Sequence, residues 1–339
     1  LRGCTNYGSI TTNDKTWADG EGKVSYYIGG IMGWATGDNL KGAEIANCTN
    51  DAPITLNNVN AFATGEYTMV GGIVGSLAIV PKNLYEIHDC VNTKKGKITL
   101  TGIGSDAYIG GIGGYTYNCE YKNLTNYADV EATVTYTSNL FLAGCLASPG
   151  LNETKGERWF TAENVVNRGN VTLNGYSKTM KIGGVYARGS QSELSNCENY
   201  GTIKLATNNK GANGNSCVAG ISGYMGKSMK HQNNKNYGDV IEDADLAHYV
   251  AGLIANFNNL AATYGEGCVV KCNVVSKSSP TQTGMVAGYG ANTSMNLGSA
   301  ENPVKVSGTL NGTAIDASNV AATAQGTSSK GVMNVIFGE

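Results

Sequence analysis

A glycine-rich block returns along this chain at steps of about 32 to 42 residues, and a repeat of that length dictates architecture before any single residue does. The block reads Tyr27-Ile28-Gly29-Gly30-Ile31-Met32-Gly33, then Met69-Val70-Gly71-Gly72-Ile73-Val74-Gly75. It continues as Tyr108-Ile109-Gly110-Gly111-Ile112, Phe141-Leu142-Ala143-Gly144-Cys145 and Lys181-Ile182-Gly183-Gly184-Val185. Its last copies are Cys217-Val218-Ala219-Gly220-Ile221, Tyr249-Val250-Ala251-Gly252-Leu253 and Met285-Val286-Ala287-Gly288-Tyr289. A second block alternates with the first. It opens as Cys4-Thr5-Asn6-Tyr7-Gly8-Ser9-Ile10-Thr11, and its Asn returns at 50, 92, 126, 167, 199 and 236.

Each unit therefore holds a short strand ending at Asn, a turn, a second strand, a variable loop and the glycine-rich third strand. No unit contains the 3.6-period pattern of an amphipathic helix, which argues against a βα solenoid. A propeller blade needs four strands. Three short strands per unit predict an all-β fold, a right-handed parallel β-helix of about eight coils. Residues 1–298 are expected to form the β-helix and residues 299–339 a C-terminal capping segment.

Composition agrees. Glycine numbers 47 and proline 5, so Gly and Asn make the turns, and charged residues reach only 15% against roughly 25% in ordinary soluble domains. A net charge of −2 with no basic run gives nucleic acid no electrostatic footing. No stretch approaches the ~18 apolar residues of a membrane span. The chain opens inside a repeat, at Leu1-Arg2-Gly3-Cys4, so we expect a preceding region that tethers it at an extracellular or cell-surface location.

The repeated positions have physical readings. Cys4, Cys48, Cys90 and Cys197 share a register with Leu124 and Val165, as a buried small hydrophobe would. The nine cysteines are an odd number, and Cys268 and Cys272 lack a second pair or local His for zinc. Neither metal nor cofactor is expected. The repeated Asn should form a turn ladder, its amide bonding the same residue one coil away and its backbone left-handed. Positions 29, 31 and 33 read as an inward row. Position 28 is also always branched or Leu, so either a break at the glycine pair resets the alternation or something covers the outer face. Past the repeats, Thr313-Ala314-Ile315-Asp316 has the spacing of an N-cap. It predicts a capping helix over 313–325, with Val332, Val335, Ile336 and Phe337 sealing the last coil.

The Gly-Gly-Ile-Val-Gly strand paired with Cys-Thr-Asn-Tyr-Gly-Ser-Ile resembles the GLUG-motif β-helix proteins over residues 1 to about 298. Those are surface and secreted proteins abundant in gut Bacteroidetes, and also seen in adhesins and IgA-peptidase-type exoproteins. The stretch from Asn302 to Thr313 is similar to the ending of many such chains. The resemblance implies a fold and a surface location; the family has no shared catalytic residues to carry over.

Chemistry is thinly represented. No P-loop, HExxH or nucleophile motif is present. The densest acidic cluster, Asp239, Glu242, Asp243 and Asp245 with His248, lies along one loop and strand end, and Asp14, Asp19 and Glu21 share a loop with Trp17. Binding has better material. The residue after the repeated Asn is Tyr7, Tyr127, Tyr200 and Tyr237, with Arg168 in register; the residue after the glycine-rich strand is Trp34, Tyr115 and Tyr224, with Arg188. Aromatic faces with Asn and Arg donors suit a sugar ring or a protein surface ligand. The leading expectation is a non-catalytic adhesin-like binding protein. A structural stalk, its tyrosines merely bracing coils, comes second. A polysaccharide lyase or hydrolase using Asp239, Glu242 or Asp243 is third.

Overall fold

The computed structural model describes residues 1–13, 25–37, 43–61, 66–79, 85–150, 160–207, 216–244, 249–258, 263–277, 282–291 and 295–338. Trp17, Trp159, Asp14, Asp19, Glu21, Asp245 and His248 lie outside them.

Equivalent repeat positions stand directly above one another. Asn6 pairs with Asn50, and the column runs on through Asn92, Asn126, Asn167, Asn199 and Asn236, every pairing parallel. One turn comprises Tyr85–His88, Val91–Asn92, Ile98–Gly110 and Gly113–Tyr117, and the chain forms a parallel β-solenoid. The solenoid has about six turns, slightly fewer than the eight coils expected. The last glycine-rich copy sits three residues away from the position its sequence suggests. Ala251 pairs with Gly284 and Ile254 with Ala287, which puts Met285, not Gly288, at the position of Gly252. Glycines recur three residues apart in this block, so the slip preserves the pattern.

The core is a stack of identical layers. Ile54, Ile98, Val130, Val171, Ile203 and Val240 occupy one column, all with no exposed surface. The cysteines continue this logic. All nine are free, and eight of them are buried. Burial raises the thiols of Cys90, Cys197 and Cys268 to about 12, so they pack as apolar groups.

Opposite the Asn column lies the glycine pair, and contact between the two shapes the cross-section. A Cβ on Gly111 would sit 2.0 Å from Gly144 O and 2.4 Å from Asn126 Cγ; one on Gly184 would meet Gly220 O at 2.0 Å and Asn199 Cγ at 2.4 Å. Only glycine lets one wall dent inward far enough to touch the amide ladder. The strand is interrupted here, since Gly30 and Ile31 belong to neither Tyr26–Gly29 nor Met32–Gly37. The alternation therefore resets at the glycine pair. Positions equivalent to 28, 31 and 32 all enter the core, as Val70, Ile73 and Val74 do, and the expected inward row at 29, 31 and 33 is corrected. Gly252 already faces Val270, which takes the place of Asn, and Met285 follows in the next turn, where the column carries Val306.

The ladder itself is continuous. Nδ2 of Asn6, Asn50, Asn92, Asn126, Asn167 and Asn199 donates to Oδ1 of the next Asn at 2.7–2.9 Å. From Asn50 onward each Nδ2 also donates to a carbonyl in its own turn, such as Ala128 O at 2.8 Å from Asn126. The ladder residues are extended, however. Left-handed backbone falls three residues earlier, at Asn47, Asp89, Asn123, Asn164, Asn196 and Asn233, with Gly3 and Gly267 at the ends of that column. Those positions turn the corner that lets the ladder Asn face inward.

Parallel stacking continues beyond residue 298: Val304–Leu310 lies on Val269–Val274, and Val335–Phe337 lies on Val304–Val306. Thr313 caps no helix. Asn311 and Gly312, both left-handed, form the tight reversal favoured by Asn-Gly and fold Thr313–Ala314 back antiparallel on Thr309–Leu310. That hairpin outweighs the capping signal. Among the described residues the helix is one turn, Val320–Thr323, following Asn319. Ile315, Val320 and Ala324 close the core, while Val332, Ile336 and Phe337 are 45–50% exposed and do not seal it.

Candidate functional site

The dent that glycine makes on the inside is a crease on the outside. Side chains on either side of the glycine pair lean toward each other across it, so Tyr27 stacks on Trp34 at 5.5 Å between ring centroids. The floor accepts only small residues. Ala143, Ala147 and Ala187 pack there with Met69, Tyr108 and Phe141 in a cluster separate from the main core, and Cys217, Ala219 and Ala255 form a second one. The reset at the glycine pair turns positions 28, 31 and 32 into the core, and the rings on either side of the pair cover the outer face of the same strand.

One column on the crease gathers four of the predicted residues. Trp34 pairs with Ser76 and Ser76 with Tyr115; further along, Arg188 pairs with Tyr224, Tyr224 with Asn256 and Asn256 with Tyr289. Across the crease run Tyr27, Met69, Tyr108, Phe141, Lys181, Cys217 and Tyr249. Trp34 is 57% exposed, Tyr115 and Tyr224 are half-buried, and Arg188 is exposed. Tyr108 packs edge-on to Tyr115 at 5.1 Å and to Phe141 at 5.2 Å. The Arg188 guanidinium sits 5.5 Å over Phe141, the buried Lys181 ammonium 4.0 Å over Tyr224, and Tyr249 stacks on Tyr289 at 4.9 Å. Cation and ring hold each other in place here. Burial raises the phenols of Tyr108 and Tyr115, so both remain neutral donors. Sequence reasoning missed Asn256 and Tyr289. Asn256 is 3% exposed, and among the described residues its Oδ1 has no hydrogen-bond partner.

Tyr127, Tyr200 and Tyr237 form a different column, on the wall behind the Asn ladder. The Arg168 guanidinium lies 4.3 Å over Tyr200, and Tyr200 stacks on Tyr237 at 5.0 Å. The Tyr200 hydroxyl donates to Glu198 at 2.6 Å, and that bond raises its pKa to about 12. Tyr7 and Tyr127 remain exposed, while Asp51 and Thr93 interrupt the row, bonded to each other at 2.6 Å.

The acidic cluster disperses. Asp239 accepts from the Asn273 backbone N at 2.8 Å, the fully buried Glu242 accepts from Ser276 Oγ at 2.9 Å, and Asp243 pairs with Lys277 at 2.6 Å. A charged face unnoticed in the sequence does assemble. Glu44, Glu86 and Glu120 stack in one register, with His88, Lys122 and Glu163 beside them, and a shallow groove of about 430 Å³ opens there. His88 binds Asp89 at 2.7 Å and Glu44 at 3.2 Å, which raises its pKa and favours the imidazolium. Nothing in the sequence flags this face, because its residues recur at unequal spacing and without a motif.

Among the described residues no group of His, Cys, Asp and Glu is arranged to hold a metal ion, and no helix is long and apolar enough to cross a membrane. No protein-family model matches the chain, and no curated protein or solved structure matches it either.

Proposed function

We propose that this chain is a non-catalytic binding module that takes a glycan along the aromatic crease, in the manner of a secreted or cell-surface adhesin. One observation carries the reading: Trp34, Tyr115, Arg188, Tyr224 and Tyr289 share a single register column beside a second row of rings. The half-exposed rings offer apolar faces to sugar C–H groups, Arg188 offers donors, and Asn256 Oδ1 offers a desolvated acceptor for a hydroxyl. The GLUG-like motif supports the same reading. The test is a glycan array of plant and mucin polysaccharides probed with the chain and its Trp34→Ala and Tyr115→Ala variants. Binding lost in folded variants supports the module; silence across the array favours a passive stalk.

The stacked carboxylates beside His88 favour a second reading, a polysaccharide-degrading enzyme. It requires products that disappear in both Glu86→Gln and Glu120→Gln.

A further inference from the structure

Charge is scarce along the crease, and its cations are gathered in one turn. Residues 176–190 carry Lys178, Lys181 and Arg188 and no acid, whereas the matching stretches 25–37, 139–150, 216–226, 249–258 and 282–291 carry no charged residue. Glu66 and Asp106, the carboxylates of the remaining stretches 66–79 and 104–117, lie three and two turns away from Lys181. A chain of net charge −2 thus holds a local positive spot on its aromatic face.

Lys181 occupies the register of Tyr27, and Arg188 that of Trp34. Cation therefore faces cation across the crease, where Tyr27 and Trp34 stack ring on ring. The two diverge. The Lys181 ammonium leans one turn forward, 4.0 Å over Tyr224, and the Arg188 guanidinium one turn back, 5.5 Å over Phe141. Lys181 is 5% exposed and donates to Cys217 Sγ at 3.6 Å, and burial keeps that thiol protonated. Arg188 is exposed, and among the described residues its guanidinium makes no ion pair. Bracing alone does not require this arrangement. Ring pairs brace other turns, and two like charges repel across so short a span.

We propose that the crease selects an acidic glycan, a carboxylated or sulfated sugar whose anionic group docks on Arg188 in the turn of Lys181. This rests on the glycan reading above and narrows it. The planar guanidinium offers a fork to two oxygens of the anion. Lys181 lies below, and its charge acts through protein rather than water, where attraction is stronger. The bound anion also relieves the repulsion between the two cations. Asn256 Oδ1, an acceptor, stands two turns further along the same column, about 10 Å away at the ordinary strand spacing. It therefore meets a hydroxyl of a neighbouring sugar and not the acid group.

The test is an array carrying oligogalacturonates and sialosides beside their methyl esters, and sulfated galactosides beside their unsulfated parents. Each pair that binds is then titrated by calorimetry. We expect the acidic member to bind at least about tenfold more tightly, and Arg188→Gln to bring the two members within about threefold of each other. The preference should shrink as salt rises. It should shrink as well in Lys181→Met, checked for folding by circular dichroism. The carboxylate and sulfate arms tell the two anions apart, because each has its own neutral partner. Neutral members bound as tightly as acidic ones, or a preference that survives Arg188→Gln unchanged, overturn the selectivity and leave the crease as a glycan site. Silence across every pair overturns both readings.

Discussion

Replacing Asn126 by Leu probes the amide ladder with little change in volume. Four hydrogen bonds involve this side chain: one accepted from Asn92 Nδ2, one accepted from Ala128 N, and two donated, to Ala128 O and Asn167 Oδ1. Asn126 has no exposed surface, so water cannot replace them. At about 1 kcal/mol net per bond, the loss is about 4 kcal/mol, rising where a buried partner is left unsatisfied. Asn6 supplies the comparison, because it makes the same kind of contact at a half-open end. It has two such bonds, and water reaches them, so Asn6→Leu should cost about 1 kcal/mol. Urea unfolding followed by circular dichroism, with slopes compared so that cooperativity is held constant, reads both numbers. Costs within about 0.5 kcal/mol of each other would refute the claim that interior ladder amides hold the turns in register.

Other outcomes follow from the same contacts. Gly184→Ala places a Cβ 2.0 Å from Gly220 O and should cost about 3 kcal/mol or more, whereas Gly338→Ala, with nothing nearby, should be neutral in the same melt. His231 is fully buried, accepts from Asn234 through Nδ1, and has its pKa pushed down by burial to about 3. The unfolded chain protonates first, near pH 6.5, so this residue should cost about 3 kcal/mol of stability between pH 6.5 and pH 4. Melts of the chain and of His231→Gln across that range should differ in slope; parallel curves contradict the assignment. Thiol labelling of the native chain at pH 8 should modify Cys4 and spare the eight buried cysteines, whereas rapid labelling of Cys90 or Cys197 would show the coils open.

Much of the fold was legible because stacking forces like residues into columns. The Asn ladder, the Cys–Leu–Val register and the parallel solenoid all follow from positions that repeat in kind. What was not legible depends on backbone position. Nothing in Gly29-Gly30 says that the pair dents the wall until it touches an amide, so the crease outside it, and the pairing of Tyr27 with Trp34, emerge only in three dimensions. The ladder Asn were expected to be left-handed because Asn favours that region; the favour is used instead at Asn47, Asn123 and Asn164, where the chain turns. Similarly, Thr313 carried a capping signal that the stronger Asn311-Gly312 turn overrode. In the candidate site, Trp34, Tyr115, Arg188 and Tyr224 were visible by register, whereas Asn256, in the same column, was hidden because it carries neither a ring nor a cation to mark it.

The central claim is that ligand lies in the crease and not on the tyrosine wall behind the ladder. Equilibrium titration of an oligosaccharide found on the array, against Tyr224→Ala and Arg188→Ala on one side and Tyr127→Ala and Tyr237→Ala on the other, tests it directly. We expect the crease variants to lose about tenfold or more in affinity, in line with anchor residues in other interfaces, and the wall variants to match the parent chain. Loss confined to Tyr127→Ala and Tyr237→Ala, with the crease variants unaffected, would contradict the account.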